Sequence, residues 1–140
     1  MKKIVSVFII FILISGLIPG CAPNRSDKLP YTGNIKYTMY IGLNDKDTYT
    51  QLIPYDEAEK KVSEIVLKYV DGYTQMQAKG AYKDDEGIVT LENSLIYEIY
   101  AATDQQMEAI MNEVLTALNQ HSILLEKQTV KSIFFEGDTP

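Results

Sequence analysis

The chain has 140 residues, with 13 basic and 19 acidic side chains, a net charge of −6 at neutral pH and a single cysteine. This acidic balance argues against a nucleic-acid-binding protein and against a basic patch that docks on anionic lipid. An intramolecular disulfide is excluded because it needs a second thiol, so packing alone must hold the fold.

A short apolar run opens the chain. It follows two lysines, covers residues 4–18 and leads into the stretch Leu17-Ile18-Pro19-Gly20-Cys21. As a helix of about 1.5 Å per residue the run would reach roughly 22 Å, short of the ~30 Å hydrocarbon layer. These features predict a signal peptide over residues 1–20, with an uncleaved, tilted anchor as the alternative.

The end of that run, Ile18-Pro19-Gly20-Cys21, resembles the lipobox of bacterial lipoproteins. The family usually has Leu and a small residue where this chain has Ile18 and Pro19. The resemblance implies that Cys21 is diacylated and becomes the mature N-terminus, so that the protein is exported and held at the outer face of the cell membrane. Two acyl chains anchor a protein stably, whereas one holds it only reversibly.

Three further regions follow the signal peptide. Residues 21–34 hold the cysteine and a Pro-, Asn-, Ser- and Lys-rich stretch without periodicity, which predicts a flexible tether. Residues 35–136 are predicted to form one domain, and residues 137–140 a C-terminal tail.

The domain begins with an alternating segment that predicts a half-buried strand. Its inward positions are Ile35, Tyr37, Met39, Ile41 and Leu43. Asp56 and Glu59 have the spacing of a capping box at the start of a helix that Gly72 is expected to end. The apolar face of this helix comprises Ala58, Val62, Ile65, Val66 and Tyr69.

The second half of the domain predicts two strands, a helix and a last strand. In the second strand an inward set (Thr74, Met76, Ala78) alternates with an outward set (Gln75, Gln77, Lys79). The acidic turn Asp84-Asp85-Glu86-Gly87 leads to a third strand, strongest over residues 95–101. Thr103 and Gln106 repeat the capping-box spacing before a second amphipathic helix, and residues 123–126 and 130–136 are extended.

This order of elements predicts an α+β fold of the ferredoxin-like split βαβ kind (βαββαβ). Its four-stranded antiparallel sheet carries both helices on one face. Right-handed crossovers place the first and third strands at the centre.

Four short motifs carry a resemblance to a known family. They are Tyr40-Ile41-Gly42-Leu43, Asp71-Gly72-Tyr73-Thr74, Gly80-Ala81-Tyr82 and Glu92. Over roughly Tyr37 to Phe135 the chain resembles small secreted bacterial lipoproteins with domain of unknown function 3574, although Tyr82 stands where Trp is expected. The resemblance implies a ferredoxin-like, exported, lipid-anchored protein and brings no established reaction or ligand.

No catalytic, cofactor-binding or metal site is predicted. His121 can act as a general base in principle, but a residue at a helix end is the favoured interpretation. The stretch from Asn44 to Asp47 opens like a calcium loop, but Tyr49 and Tyr55 occupy the positions that need Gly and Glu. The acidic turn could collect a divalent cation, although such turns are usually only solvated.

The sheet face without helices is the remaining candidate for function. Alternation in the two central strands predicts an interaction face of Tyr40, Ile96, Glu98 and Tyr100, rimmed by the outward set of the second strand. An apolar centre within a polar rim is typical of an interface, and the charge of Glu98 is expected to oppose face-to-face pairing. The alternative is an ordinary solvated sheet face.

Two classes of function agree with these features. The favoured hypothesis is a non-catalytic module that binds itself, another envelope protein or a small ligand through the sheet face. The alternative is a small dimeric α+β-barrel-type enzyme, which would need a polar group in an apolar cavity between helices and sheet.

Overall fold

A computed structural model describes residues 29–83 and 87–137 of the chain. The elements in chain order are β1 (Thr32–Gly42), α1 (Tyr55–Val66), β2 (Thr74–Lys83), β3 (Val89–Tyr100), α2 (Asp104–Ala117) and β4 (Leu124–Ser132). The predicted βαββαβ order is therefore confirmed. The signal peptide, Cys21, the tether up to residue 28 and the acidic residues 84–86 lie outside the described residues.

The strands form one antiparallel sheet in the order β2-β3-β1-β4. Tyr37 of β1 lies opposite Ile99 of β3, and on the other side Thr38 lies opposite Glu126 of β4. The prediction that β1 and β3 are the central strands is confirmed. These two strands therefore supply most of the sheet's contribution to the core.

The core lies between one face of the sheet and the two helices. Its buried residues are Tyr37, Met39, Ile41 and Leu43 of β1 and the turn after it; Leu95, Tyr97 and Ile99 of β3; Ala58, Val62, Ile65 and Val66 of α1; and Met107, Ile110, Val114 and Leu118 along α2. The inward positions predicted for both central strands and for both helices are confirmed, apart from Ile35, Tyr69 and Met111 of the second helix, which are partly buried against the core.

The two helices begin in different ways. At α2 the predicted capping box is present: Gln106 N donates to Thr103 Oγ1 at 3.2 Å, and Thr103 N donates to Gln106 Oε1 at 2.9 Å. At α1 the prediction is wrong, because the helix begins after Pro54 and no side chain caps it. Asp56 instead lies inside the first turn, where a carboxylate is favoured by the helix dipole.

The end of α1 also differs from the prediction. The helix ends at Val66, with Leu67 as its C-cap, and Gly72 lies in the loop beyond it. The backbone continues in tight turns, since Tyr69 N donates to Val66 O at 3.0 Å and Val70 N donates to the same oxygen at 3.2 Å. Turn bonds, rather than a glycine, therefore satisfy the last carbonyl of this helix.

The two faces of β2 are the reverse of the prediction. Gln75 lies opposite Tyr97 and Gln77 opposite Leu95, so the residues predicted to point outward lie on the helix side. Gln75 Nε2 donates to the Tyr55 hydroxyl at 2.9 Å, which gives a polar side chain a partner there. Met76 consequently lies on the open face, opposite Ile96.

The outer strands also differ in length from the prediction. β1 begins at Thr32, three residues early, because Asn34 Nδ2 donates to Thr32 Oγ1 at 3.1 Å and to Ser132 Oγ at 2.6 Å. β4 is one uninterrupted strand, and residues 133–137 lie beyond it. In the part of the chain that the structure describes, no helix is long and apolar enough to cross a membrane.

Candidate functional site

The open face of the sheet carries a row of large side chains that crosses all four strands. Met76 lies opposite Ile96, Ile96 opposite Tyr40, and Tyr40 opposite Leu124. The two outer members are exposed, Met76 at 40% and Leu124 at 61%, while the two central members are partly buried. We call these four residues the apolar row. It includes two of the predicted interaction residues, Tyr40 and Ile96.

Three charged side chains, Lys36, Glu98 and Glu126, lie beside the apolar row, and we call them the charged row. Lys36 Nζ donates to Glu98 Oε1 at 2.8 Å, and the Tyr40 hydroxyl donates to Glu126 Oε2 at 3.3 Å. Thr38 is buried between these side chains. The hydrogen bond to Glu98 raises the pKa of Lys36, although desolvation acts in the opposite direction. Burial raises the pKa of Tyr40, and the charge of Glu126 raises it further. The predicted central carboxylate is thus present, but Lys36 compensates its charge.

The fourth predicted residue, Tyr100, lies at the end of β3, opposite Lys36. It is 39% exposed and, with Glu98, lines a cavity of about 530 Å³ that we call the β3-end cavity. Asp71, Tyr73 and Phe134 also line it. The structure therefore brings the four predicted face residues onto one face, but Tyr100 and Glu98 share a second surface that the sequence did not indicate.

A polar cavity lies at the opposite end of the central strands. It measures about 360 Å³, and we call it the β1-end cavity. Its lining includes Gly42, Tyr49, Tyr82, Glu92 and His121. Gly42, Tyr82 and Glu92, which belong to three of the family motifs, therefore line one cavity together with His121, the only histidine of the chain. These four residues come from four separate parts of the sequence.

Asp45 stabilises the loop beside this cavity. Its Oδ1 accepts from the backbone N–H groups of Asp47 and Thr48, each at 3.0 Å, and its Oδ2 accepts from Asn119 Nδ2 at 2.7 Å. The hydrogen bond from Asn119 and those from the loop lower the pKa of Asp45, although desolvation acts in the opposite direction. Both carboxylate oxygens are thus engaged by protein donors. Among the described residues, no group of three or more His, Cys, Asp or Glu side chains could hold a metal ion.

Two tyrosine hydroxyls of the central strands, on the helix side of the sheet, have protein partners. The Tyr97 hydroxyl donates to the Glu59 carbonyl at 3.2 Å and lies 3.0 Å from Ser63 Oγ. The Tyr37 hydroxyl donates to Asp104 Oδ1 at 2.5 Å. Burial raises the pKa of Tyr97 to about 12. These groups stabilise the core and are not available to a ligand.

Comparison with known proteins places this fold among described structures. A family model described as "Protein of unknown function (DUF3574)" matches residues 36–134. A phage SAM lyase in complex with S-methyl-5'-thioadenosine is 16% identical, with a TM-score of 0.51, and the match covers 79% of this chain and 100% of that one. The apo state gives 16% identity and a TM-score of 0.51, covering 74% and 94%.

A third solved structure is an adenosylmethionine decarboxylase from Aquifex aeolicus, at 18% identity and a TM-score of 0.38, with 78% of this chain and 98% of that chain covered. No curated protein matches the chain. At this level of identity, the likeness to the phage enzyme concerns the fold.

Proposed function

The chain belongs to the DUF3574 family of proteins of unknown function, and we propose that it is an exported, lipid-anchored protein whose open sheet face binds a second copy of itself. The observation that carries this proposal is the apolar row, which presents exposed Met76 and Leu124 on a face that neither helix of the described residues covers. Face-to-face packing of two sheets, about 10 Å apart, would bury such a row.

The surroundings of the apolar row support a contact between identical faces. On one side of it the small residues Ala78 and Ser94 lie opposite each other on β2 and β3, and they leave the surface low there, so that a second sheet can approach. The carboxylate of Glu92, which lies over Gly42, and the charged row on the other side form a polar margin, which is the usual anatomy of an interface.

The charges of the open face are arranged so that two copies repel each other less there than their net charge suggests. Two chains of net charge −6 repel each other at a distance. At the face itself, however, Lys36 compensates Glu98 at 2.8 Å, and Glu126 accepts from Tyr40. A buried carboxylate with a bonded cation costs less to desolvate than an isolated one. The expected repulsion between Glu98 and its symmetry mate is therefore reduced.

Lipid anchoring at Cys21 is part of the same proposal. Its support is the lipobox-like sequence before Cys21, which lies outside the described residues. An anchor and a short tether confine the copies to one surface and raise their effective concentration. A face that associates weakly in dilute solution can therefore be paired at the membrane. Another envelope protein is the alternative partner, and it would be favoured if the soluble form does not associate with itself.

Sedimentation over a wide concentration range tests the pairing. The sample is a soluble form that begins at Tyr31, with its fold checked by circular dichroism. Tyr40→Ala and Leu124→Gln should each weaken association by about 1 to 2 kcal/mol if they are anchors of the contact. Leu91→Gln is the matched control, because this leucine is 77% exposed but lies on the helix side of the sheet, the same side as buried Leu95.

Glu98→Gln makes the test more specific. The change leaves Lys36 without its carboxylate partner, so pairing should weaken rather than strengthen. Tyr100→Ala should also weaken it. If association is absent at every concentration in the sample, or is unchanged when both Tyr40 and Leu124 are replaced, the self-contact is wrong.

The second candidate function is enzymatic, and the β1-end cavity is the observation that favours it. There Glu92, His121 and Tyr82 provide groups that can exchange protons beside a cavity of about 360 Å³. The fold of the phage SAM lyase suggests a first ligand to test, S-methyl-5'-thioadenosine. Saturable NMR shift changes confined to this cavity and lost in Glu92→Gln would favour this candidate. An unchanged spectrum would argue against that ligand.

A further inference from the structure

The β3-end cavity has the size and construction of a small-molecule site. Its volume of about 530 Å³ lies within the range of roughly 300 to 1,000 Å³ that ligand pockets occupy. Four separate segments form it: the loop from α1 to β2, the end of β3, the first turn of α2 and the residues after β4. Convergence of distant segments on one cavity is what a binding site requires, and Asp71, Tyr73 and Phe134 of its lining lie outside the apolar row and the charged row.

The chemistry of the lining is aromatic and acidic. Tyr73, Tyr100 and Phe134 supply three aromatic rings, and Asp71 and Glu98 supply two carboxylates. Among the described residues, no lysine, arginine or histidine lines this cavity. Ring faces and carboxylates both attract positive charge, and a cation within about 6 Å of a ring centroid is stabilised by it.

Other polar groups of the lining already have partners within the protein. Gln106 donates through Nε2 to the Tyr69 carbonyl at 2.6 Å and accepts through Oε1 from Thr103 N at 2.9 Å. The Tyr69 hydroxyl donates to Glu113. Lys36 engages Glu98 through Oε1. Exposed Asp71 is therefore the lining carboxylate best placed to meet a ligand directly.

Two features hold the walls of the cavity in place. The Tyr73 ring lies 5.0 Å from the ring of buried Tyr97, centroid to centroid, which fixes one aromatic wall. Ala101 has a φ of 59°, a left-handed conformation that is unfavourable for a residue with a Cβ, and its N–H donates to Ile35 O at 3.1 Å. Such strain is held by the surrounding structure and is concentrated at functional sites in proteins.

We propose that the β3-end cavity binds a small organic cation, with its positive group at Asp71 and its apolar part against the rings of Tyr73, Tyr100 and Phe134. Phe134 is 85% exposed, so its ring is available to cover a bound molecule. A positive ligand also agrees with a chain of net charge −6, whose field attracts cations to such a cavity.

Ligand-observed saturation-transfer NMR on the full-length chain in a maltoside detergent tests this site. The probes are benzyltrimethylammonium and choline, with 3,3-dimethylbutan-1-ol as the neutral isostere of choline. The two cations should bind saturably, and the neutral alcohol should bind at least about fivefold more weakly than choline, since cation–π attraction and the carboxylates act only on a charge. Equal binding of the alcohol, or no binding of either cation at millimolar concentration, would overturn the proposal.

Four exposed positions supply variants that should leave the fold intact. Asp71→Asn and Phe134→Ala should each weaken cation binding about fivefold. Glu108→Gln makes the same change of charge on an exposed surface of α2, and Phe135→Ala removes a neighbouring ring that is 74% exposed; neither residue lines the cavity. Equal losses in these controls would mean that net charge or surface stickiness, rather than the cavity, causes the binding.

The experiment also separates this site from the face pairing. Leu124→Gln should weaken association in sedimentation and leave choline binding unchanged, because Leu124 does not line the cavity. Asp71→Asn should weaken choline binding and leave association unchanged. If Leu124→Gln abolishes cation binding as well, the cation is bound by the paired face and the cavity proposal is wrong.

Discussion

The backbone of Gly42 lies against the carboxylate of Glu92, which occupies the space that a Cβ at position 42 would fill. This close approach lets Glu92 Oε1 accept from the backbone N–H of Asn44 at 2.9 Å. The end of β1 is thereby tied to β3 through a side chain as well as through the ladder. Two of the family motifs thus meet in one contact, and a glycine is required there by space rather than by its φ angle.

Gly42→Ala is expected to lower the free energy of unfolding by about 1 to 3 kcal/mol, because the added methyl group must displace the Glu92 carboxylate and break its bond to Asn44. Urea unfolding followed by circular dichroism measures this. Gly33→Ala is the control in the same strand, since nothing lies within 4 Å of a Cβ there. A similar loss in both variants would contradict the account of Gly42.

Stability is expected to fall at high pH through Tyr97. An unfolded tyrosine has a pKa of about 10, whereas burial raises the pKa of Tyr97 to about 12. Between these values the unfolded chain loses the proton and the folded chain keeps it. The stabilisation is therefore complete below pH ~10 and is lost as pH rises toward about 12.

Urea unfolding at pH 8 and pH 11 checks this expectation for Tyr97. Tyr97→Phe should lower stability at pH 8 by about 1 to 3 kcal/mol, because it removes the bonds to Glu59 and Ser63. It should also reduce the further loss between pH 8 and pH 11. Tyr49→Phe, at a ring that is 67% exposed, is the control and should keep the full pH-dependent loss. An unchanged loss in Tyr97→Phe would show that other groups cause it.

Cys21→Ser is expected to abolish lipid attachment, because the chain contains no other cysteine. Metabolic labelling with a radioactive fatty acid compares the variant with the wild type. Pro19→Ala serves as a control: it restores the small residue usual two positions before the cysteine and should keep the label. Equal labelling of wild type and Cys21→Ser would remove the anchor from the proposed function.

A soluble form that begins at Tyr31 is expected to fold by itself. The described residues from Tyr31 onward form a compact unit, and the buried core positions all lie within it. About 100 residues are enough for a single-core domain with cooperative unfolding. One sharp thermal transition in far-ultraviolet circular dichroism would agree with this, whereas broad melting would mean that a partner or the membrane completes the fold.

The fold could be predicted because its central elements carry clear patterns. In β1 and β3 every second residue around Met39 and Tyr97 is large and apolar, and Thr103 and Gln106 encode their capping box directly. β2 could not be oriented in this way. It is an edge strand in which polarity does not indicate the buried side, since Gln75 meets Tyr55 on the helix side and Met76 is exposed.

The sites were less predictable than the fold, because each depends on register. The four predicted face residues lie on one face, but the apolar row becomes visible only when Met76 and Leu124 are aligned with Ile96 and Tyr40. The compensation of Glu98 by Lys36 depends on the same pairing. The β3-end cavity needs Asp71 and Phe134, which are 63 positions apart in the sequence, to lie close together.

The position of β1 within the sheet has a mechanical consequence. The chain enters the domain through this strand, which is paired with β3 from Lys36 to Gly42 and with β4 from Thr32 to Tyr40. Ladder hydrogen bonds in an antiparallel sheet run across the strands, so a pull along β1 loads many of them in shear at the same moment. If the domain is held through its open face while the tether is stretched, it should therefore resist extraction of β1 far better than it would resist peeling of its edge strand β2.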